Sequence, residues 1–470
     1  MNPIGSLNLA ICGVMLLRSA GRRDLMTVYW GMALVLGGLP LAFPSLVKLA
    51  NRPSYEFADS TATECALFVL TFNILFGVAA HIVGGRRDSK GLPARPQELE
   101  REQLATLRAV FPWVAGAFVL SAFMLLWAAT GGNISAFKWS DTAVMYEGES
   151  QYGYVAACTC FMVFSCAVPF ALFLKRWMTV LILLIGAYGV TQLAGSRVFL
   201  LPAFLSVATI LILRLLTFRH GTMPRRFLGN LSVAVVLLVT AYTGMEFAAW
   251  SRSRYDVGSL ARNPGEAWAE FSDSLEVQAD ASAWEMLYSF EAFPVSIPYC
   301  HGLTYAQMAL IPIPQTALRS VGLGDIKTYN FSGIILARDL FGTSYEARFG
   351  SIHPTLWGDA YANFGHLGAL LGIFWGLVLG RIERLLRGRP LLYLIALPSY
   401  ASFVAVLVRG SMLHATFYFF NASMLIALLL LIMYLSRSSI YPRLISRVPG
   451  TFAGHLRQPS GSLLQNGPTY

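Results

Sequence analysis

Long apolar runs alternate with short polar connections through most of the chain, and within the runs neither the period of two of a strand nor the one-sided stripe of a surface helix persists. A helix needs roughly 20 apolar residues to cross a ~30 Å hydrocarbon core. Eleven runs read as spans, at about 3–17, 25–47, 63–84, 109–130, 153–174, 177–195, 198–216, 229–250, 355–380, 391–408 and 412–435. The expected fold is all-α: a polytopic helical membrane protein of about 11 transmembrane helices with one large external loop. It divides into an N-terminal bundle of about 8 spans (1–250), the loop (251–354), a C-terminal bundle of about 3 spans (355–435) and a basic tail (436–470). The first run is followed by Arg18, Arg22 and Arg23 instead of a small-residue cleavage site, so it reads as a short span and not as a leader. Within the loop the pattern predicts amphipathic helices over 264–292 and 303–311, closing over the bundle as a lid. Trp268, Trp284, Phe290, Phe293, Tyr299 and Tyr305 give that lid more aromatic surface than a solvated loop carries.

Composition agrees with the pattern, since 56% of residues are hydrophobic and only 13% charged. The net charge of +10 is spread in short clusters between runs, which argues against a nucleic-acid partner and for topology signals. Of the 35 Lys and Arg, 23 fall in alternate connections and the C-terminal tail, from Arg18/22/23 through Arg86–Arg108, Lys175/Arg176, Arg214–Arg226 and Arg381–Arg389 to the arginines after Ser436. The positive-inside rule makes that face cytoplasmic and places the N-terminus and the loop outside. Five of the six cysteines lie in spans and only Cys300 in the loop, so no disulfide is expected within the loop, and the span thiols read as apolar fillers.

Charge also marks where chemistry is to be sought. Arg197 in Gly195-Ser196-Arg197, Arg252 and Arg254 in Ser251-Arg252-Ser253-Arg254, and Arg409 in Arg409-Gly410-Ser411 sit on the external face, against the topology trend. Interfacial arginines can snorkel or pair with a loop carboxylate. Arginines ringed around an external cavity also suit a phosphate, which the guanidinium fork binds bidentately. The stretch RFGSIHPTLWGDAYANFGHLGALLGIFWGLVLG (348–380) opens on the same face with Arg348, His353, Asp359, Asn363 and His366. If helix begins at 355, Asp359, Asn363 and His366 share one side, which must face a wet cavity or the bundle interior. His353-Pro354 is a helix-start signal that holds His353 above the membrane, and the row Gly365, Gly368, Gly372, Gly376 and Gly380 reads as helix packing. No phosphate-cradling GxxxxGK[ST], no HExxH and no metal-spaced carboxylate pair stands in a compelling setting, so neither a metal nor another cofactor is expected.

The segment GSIHPTLWGDAYANFGHLGALLG (350–372) resembles the signature of the oligosaccharide repeat-unit polymerases of the Wzy type, in which Pro-Thr, an acid, a Tyr and Asn-Phe-Gly lead into a glycine-rich span. GSRVFLL (195–201), HGLTYAQMALIPIPQTALRS (301–320) and LVRGS (407–411) resemble further pieces of that family in order and spacing, over most of 190–415; the N-terminal half is similar only in hydropathy. One departure is that the family's Ile-Pro is commonly followed by arginine, whereas Ile313-Pro314 precedes Gln315, leaving Arg319 or Lys327 for that role. The resemblance implies a membrane-embedded glycosyltransferase at the external face of a bacterial inner membrane. It would join polyprenyl-diphosphate-linked oligosaccharide repeat units into a surface polysaccharide, with the lipid-linked glycan, membrane lipid and a chain-length regulator protein as partners. On that reading Arg197, Arg252, Arg254, Arg319, Arg348 and Arg409 hold diphosphate and Asn363 a sugar hydroxyl. His353, Asp359 or Glu346 takes the acceptor proton, with His414 in reserve. An O-antigen ligase, which transfers to a lipid A core, and a flippase of the same glycan are the alternatives.

Overall fold

The computed structural model describes residues 2–22, 24–44, 57–84, 263–279, 281–310, 315–322, 332–341, 352–387 and 390–410, with isolated positions at 47, 178, 179, 243, 247 and 313 and others between 412 and 434. The elements are α1 (Pro3–Arg22), α2 (Met26–Ala42), α3 (Asp59–Gly84), α4 (Pro264–Ala279), α5 (Ala281–Ala292), α6 (Leu303–Leu310), α7 (Gln315–Ser320), α8 (Ser332–Phe341), α9 (Thr355–Phe364), α10 (Leu371–Arg387) and α11 (Pro390–Arg409). No strand occurs among the described residues. Pro3–Ala20, Asp59–Gly84 and Thr355–Arg387 are long and apolar enough to cross a membrane. The spans read from hydropathy over 109–250 lie outside the described residues.

Glycine determines how α10 meets α3. Gly372, Gly376 and Gly380 face Phe72, Phe76 and Ala80 in turn, so the two helices run parallel with backbones nearly touching. A Cβ added at Gly376 would stand 2.5 Å from the Phe76 carbonyl, and one at Gly380 3.1 Å from that of Ala80. The glycine row is therefore packing, as its spacing suggested. On the other side of α3, side-chain amides join three helices inside an apolar layer. The Tyr29 hydroxyl donates to Asn73 Oδ1 at 2.7 Å, and Asn73 Nδ2 donates to Asn8 Oδ1 at 2.9 Å. Asn8 and Asn73 are fully buried, where an unmade hydrogen bond costs more than in water, so the network fixes the register of α1, α2 and α3. Within α2 the turn Leu34–Gly38 widens to a π-helix, and Gly37 leaves room for the Trp357 ring, which a Cβ would meet at 3.0 Å.

These contacts define two ends. At one, which we call the mouth, Asn2 Nδ2 donates to Thr63 Oγ1 at 3.3 Å and Gly410 (φ +90°) lies against the backbone of Thr355. At the far end the Leu25 N–H donates to Glu383 Oε2 at 3.0 Å, and Arg387 pairs with Glu383 and stands 3.7 Å from Asp24. Arg387 also donates to the Arg22 carbonyl at 3.4 Å, so the C-terminal ends of α1 and α10 share one end of the bundle.

One expectation for the 355–380 run is corrected. Its helix is not continuous: Gly365 adopts φ +56°, and the chain passes through a 3-10 turn, Gly365–Leu370, before α10 begins. A Cβ at Gly365 would stand 2.9 Å from the Tyr299 hydroxyl, so position and backbone both select glycine. The break separates His366 from the face of Asp359 and Asn363: those two are buried, while the His366 imidazole is exposed and turned toward Glu64.

The predicted lid helices form close to their expected places, as α4, α5 and α6. Helix α5 docks on α9 where Gly358 meets Ser289; a Cβ there would stand 2.9 Å from Ser289 Oγ. Its apolar side, Trp284, Met286, Leu287 and Phe290, is buried. Phe290 stacks on Tyr361 at 4.0 Å between ring centroids, and Phe68 of α3 meets the same tyrosine edge-on at 5.6 Å.

Candidate functional site

Helix α9 starts under constraint. Thr355 takes φ +63°, a conformation that a β-branched residue rarely adopts, pressed between Pro354 and the close approach of Gly410. Its hydroxyl accepts the Gly358 N–H at 3.4 Å and so caps the first turn. The consequence is positional. The backbone turns sharply at His353-Pro354-Thr355, which brings the His353 N–H to Glu285 Oε2 of α5 at 3.0 Å, while Gly410 carries the end of α11, and with it Arg409, to the same turn.

Glu285, His353 and Arg409 thus converge from a loop helix, the entry of α9 and the last turn of α11. Burial raises the Glu285 carboxyl to about 8, against the opposing pull of the His353 N–H and the Arg409 guanidinium. His353 is half-buried and Arg409 exposed, so the group is open on the arginine side.

Asp359 lies one turn into α9 and is 1% exposed. The Tyr305 hydroxyl of α6 stands beside its carboxylate and the Trp375 indole. Burial, with that carboxylate second, holds the phenol well above its usual range. The Cys300 thiol is raised to about 12 by burial and then by Asp359, which makes it inert at neutral pH. Asn363, one further turn on, accepts the Thr304 N–H at 3.3 Å and donates to the Asp359 carbonyl at 2.8 Å. The Cys300 N–H donates to the Ala362 carbonyl at 2.9 Å. Asn363 therefore fastens the start of α6 to α9.

A second polar group occupies the other side of α9. The Tyr361 hydroxyl donates to Glu64 Oε1 at 2.9 Å, and His366 Nε2 stands 3.5 Å from the same oxygen. Half-exposed Glu64 near the start of α3 thus joins the glycine break to the bundle.

Of the residues singled out from sequence, the structure brings His353, Asp359, Asn363 and Arg409 to one end of the bundle. Arg319 is exposed on α7 and makes no hydrogen bond or ion pair with this group among the described residues. Arg197, Arg252, Arg254, Glu346, Arg348 and His414 lie outside the described residues. Sequence reasoning missed Glu285 and Glu64. A signal for the first existed: Glu285, Ser289 and Ala292 fall at i, i+4 and i+7 of α5, and Ser289 and Ala292 are buried, so an acid sits on the inward face of an otherwise apolar helix. Among the described residues no group of His, Cys, Asp and Glu could hold a metal ion. Comparison with family models, curated proteins and solved structures finds no match to the chain.

Proposed function

We propose that this chain is a multi-pass enzyme of a bacterial inner membrane that joins polyprenyl-diphosphate-linked oligosaccharide repeat units into a surface polysaccharide at the external face. One observation carries most weight. An arginine, a carboxylate of raised affinity for protons and the backbone N–H of a histidine meet at one end of an apolar helical bundle, the carboxylate brought there by a loop helix. Transfer from a lipid diphosphate needs little else: a cation to stabilise the charge that develops on the departing diphosphate, and a base for the attacking hydroxyl. The energy resides in the donor's own sugar–phosphate bond, so no nucleotide enters.

On this reading the mouth is external, with the N-terminus on that side and the tail in the cytoplasm. Arg409 holds diphosphate, joined by Arg197 from a segment that carries the sequence resemblance and by Arg252, Arg254 and Arg348, which the charge pattern assigns to the same face. Asn363 takes a structural role, shaping the wall behind Asp359. Purified protein in nanodiscs, given lipid-linked repeat units alone, should yield a ladder of products spaced by one repeat. Transfer of a single unit to an added lipid A core would instead identify a ligase, and movement of substrate across the bilayer with no new bond a flippase.

A further inference from the structure

Glu285 reaches the mouth from loop helix α5, and three observations bear on its work there. The His353 N–H engages Oε2 at 3.0 Å, which orients the carboxylate and leaves Oε1 as the oxygen to receive a proton. Densely surrounded by protein yet only half-buried by surface exposure, the side chain is poorly solvated but reachable. It also stands in the field of Arg409. Asp359, by contrast, is 1% exposed behind Tyr305 and Cys300, where a sugar hydroxyl has little access.

We propose, resting on the polymerase reading above, that Glu285 is the base that takes the acceptor proton, and that Arg409 turns from Glu285 to the donor's diphosphate when the donor binds. In the step itself the acceptor hydroxyl oxygen forms a bond to the anomeric carbon of the donor sugar as its proton passes to Glu285. The bond from that carbon to the diphosphate oxygen breaks, and its electron pair leaves with the lipid diphosphate, whose added charge Arg409 holds. Glu285 then returns the proton to water.

The arrangement makes donor binding activate the base. Arg409 and the His353 N–H are the groups that lower the Glu285 carboxyl, against burial, which raises it to about 8. A diphosphate that neutralises Arg409 cancels one of those two, so the carboxylate becomes more basic when a leaving group is in place. Since only the ionised form accepts a proton, the rate at low donor concentration must rise with pH through about 8 and level off above it, and with saturating donor the same limb must lie at higher pH.

The test is the pH–rate profile of polymer formation in nanodiscs from pH 6 to about 9.5, for wild type, Glu285→Gln, Glu285→Asp and His353→Ala. It is paired with infrared difference spectra of the protonated carboxyl stretch. Glu285→Gln keeps an acceptor for the His353 N–H and should accumulate and bind lipid-linked substrate normally. It should lose roughly 10² to 10⁴ in rate together with the rising limb. Glu285→Asp should keep the limb at reduced rate. The infrared band should titrate near pH 8 in wild type, move upward in Arg409→Ala, and vanish in Glu285→Gln. Wild-type rate in Glu285→Gln, or loss of the limb in His353→Ala instead, would overturn the assignment. If the Gln variant fails to accumulate, a wild-type profile flat across this range overturns it alone. Failure of the polymerase reading looks different: wild type forms no glycosidic bond at any pH while the carboxyl band still titrates, and the base assignment falls with it.

Discussion

Asp359 and Asn363 are one helical turn apart and equally buried, and the sequence reads the first as a candidate base and the second as a contact to a sugar hydroxyl. Asn363 spends its amide on two backbone groups, the Thr304 N–H and the Asp359 carbonyl. Asn363→Ala should therefore cost about 1–3 kcal/mol through the unsatisfied groups it leaves, read as a lower thermal unfolding temperature in detergent with the wild-type pH profile retained by the protein that remains folded. A lost pH limb at unchanged stability would return Asn363 to the chemistry. At this scale the sequence pointed to His353, Asp359, Asn363 and Arg409, polar side chains in or beside apolar runs that the fold brings to one end, but not to the turn that sets His366 apart. Glu285 was not legible, because the loop's pattern reads as amphipathic helix, and an acid on such a helix resembles solvated charge until α9 and α11 are brought against it.

Among elements, α3 and α10 show how much of the packing is written in spacing and how much is not. The four-residue glycine interval gave the contact correctly, because a row without side chains on a helix has few uses other than a close neighbour. The same row concealed a break. Gly365 looks like the other glycines in sequence, yet it is the member with positive φ, and nothing in the pattern separates a glycine chosen for its backbone from one chosen for its size. A graded substitution isolates the packing role. Gly376→Val places a Cβ against the Phe76 carbonyl and should destabilise by about 1–3 kcal/mol or more. Gly84→Ala, at a position with nothing within 4 Å, should leave the unfolding temperature where it was. Equal effects of the two would mean that α3 and α10 do not touch as described.

At the scale of the molecule, among the described residues, Arg22 and Arg387, which the charge pattern assigns to one membrane face, lie at the same end of the bundle. The far end gathers Arg22 and Arg387 with Asp24 and Glu383; the mouth gathers the loop helices. A reporter inserted at Gly302 is expected outside the cell and one after Ser438 inside, and a cytoplasmic readout at Gly302 would remove the external site altogether. The parallel run of α3 and α10 carries a stricter demand than either assignment. Helix α3 reaches the far end at Gly84, whereas the chain that leads through α9 into α10 enters at the mouth, at Ile352. Reporters at those two points must therefore answer from opposite compartments whichever face is outermost, and the chain between them must change sides. Parity alone excludes any topology that puts an even number of crossings between Gly84 and Ile352, so a pair of fusions can reject half of all conceivable span counts before any span is mapped.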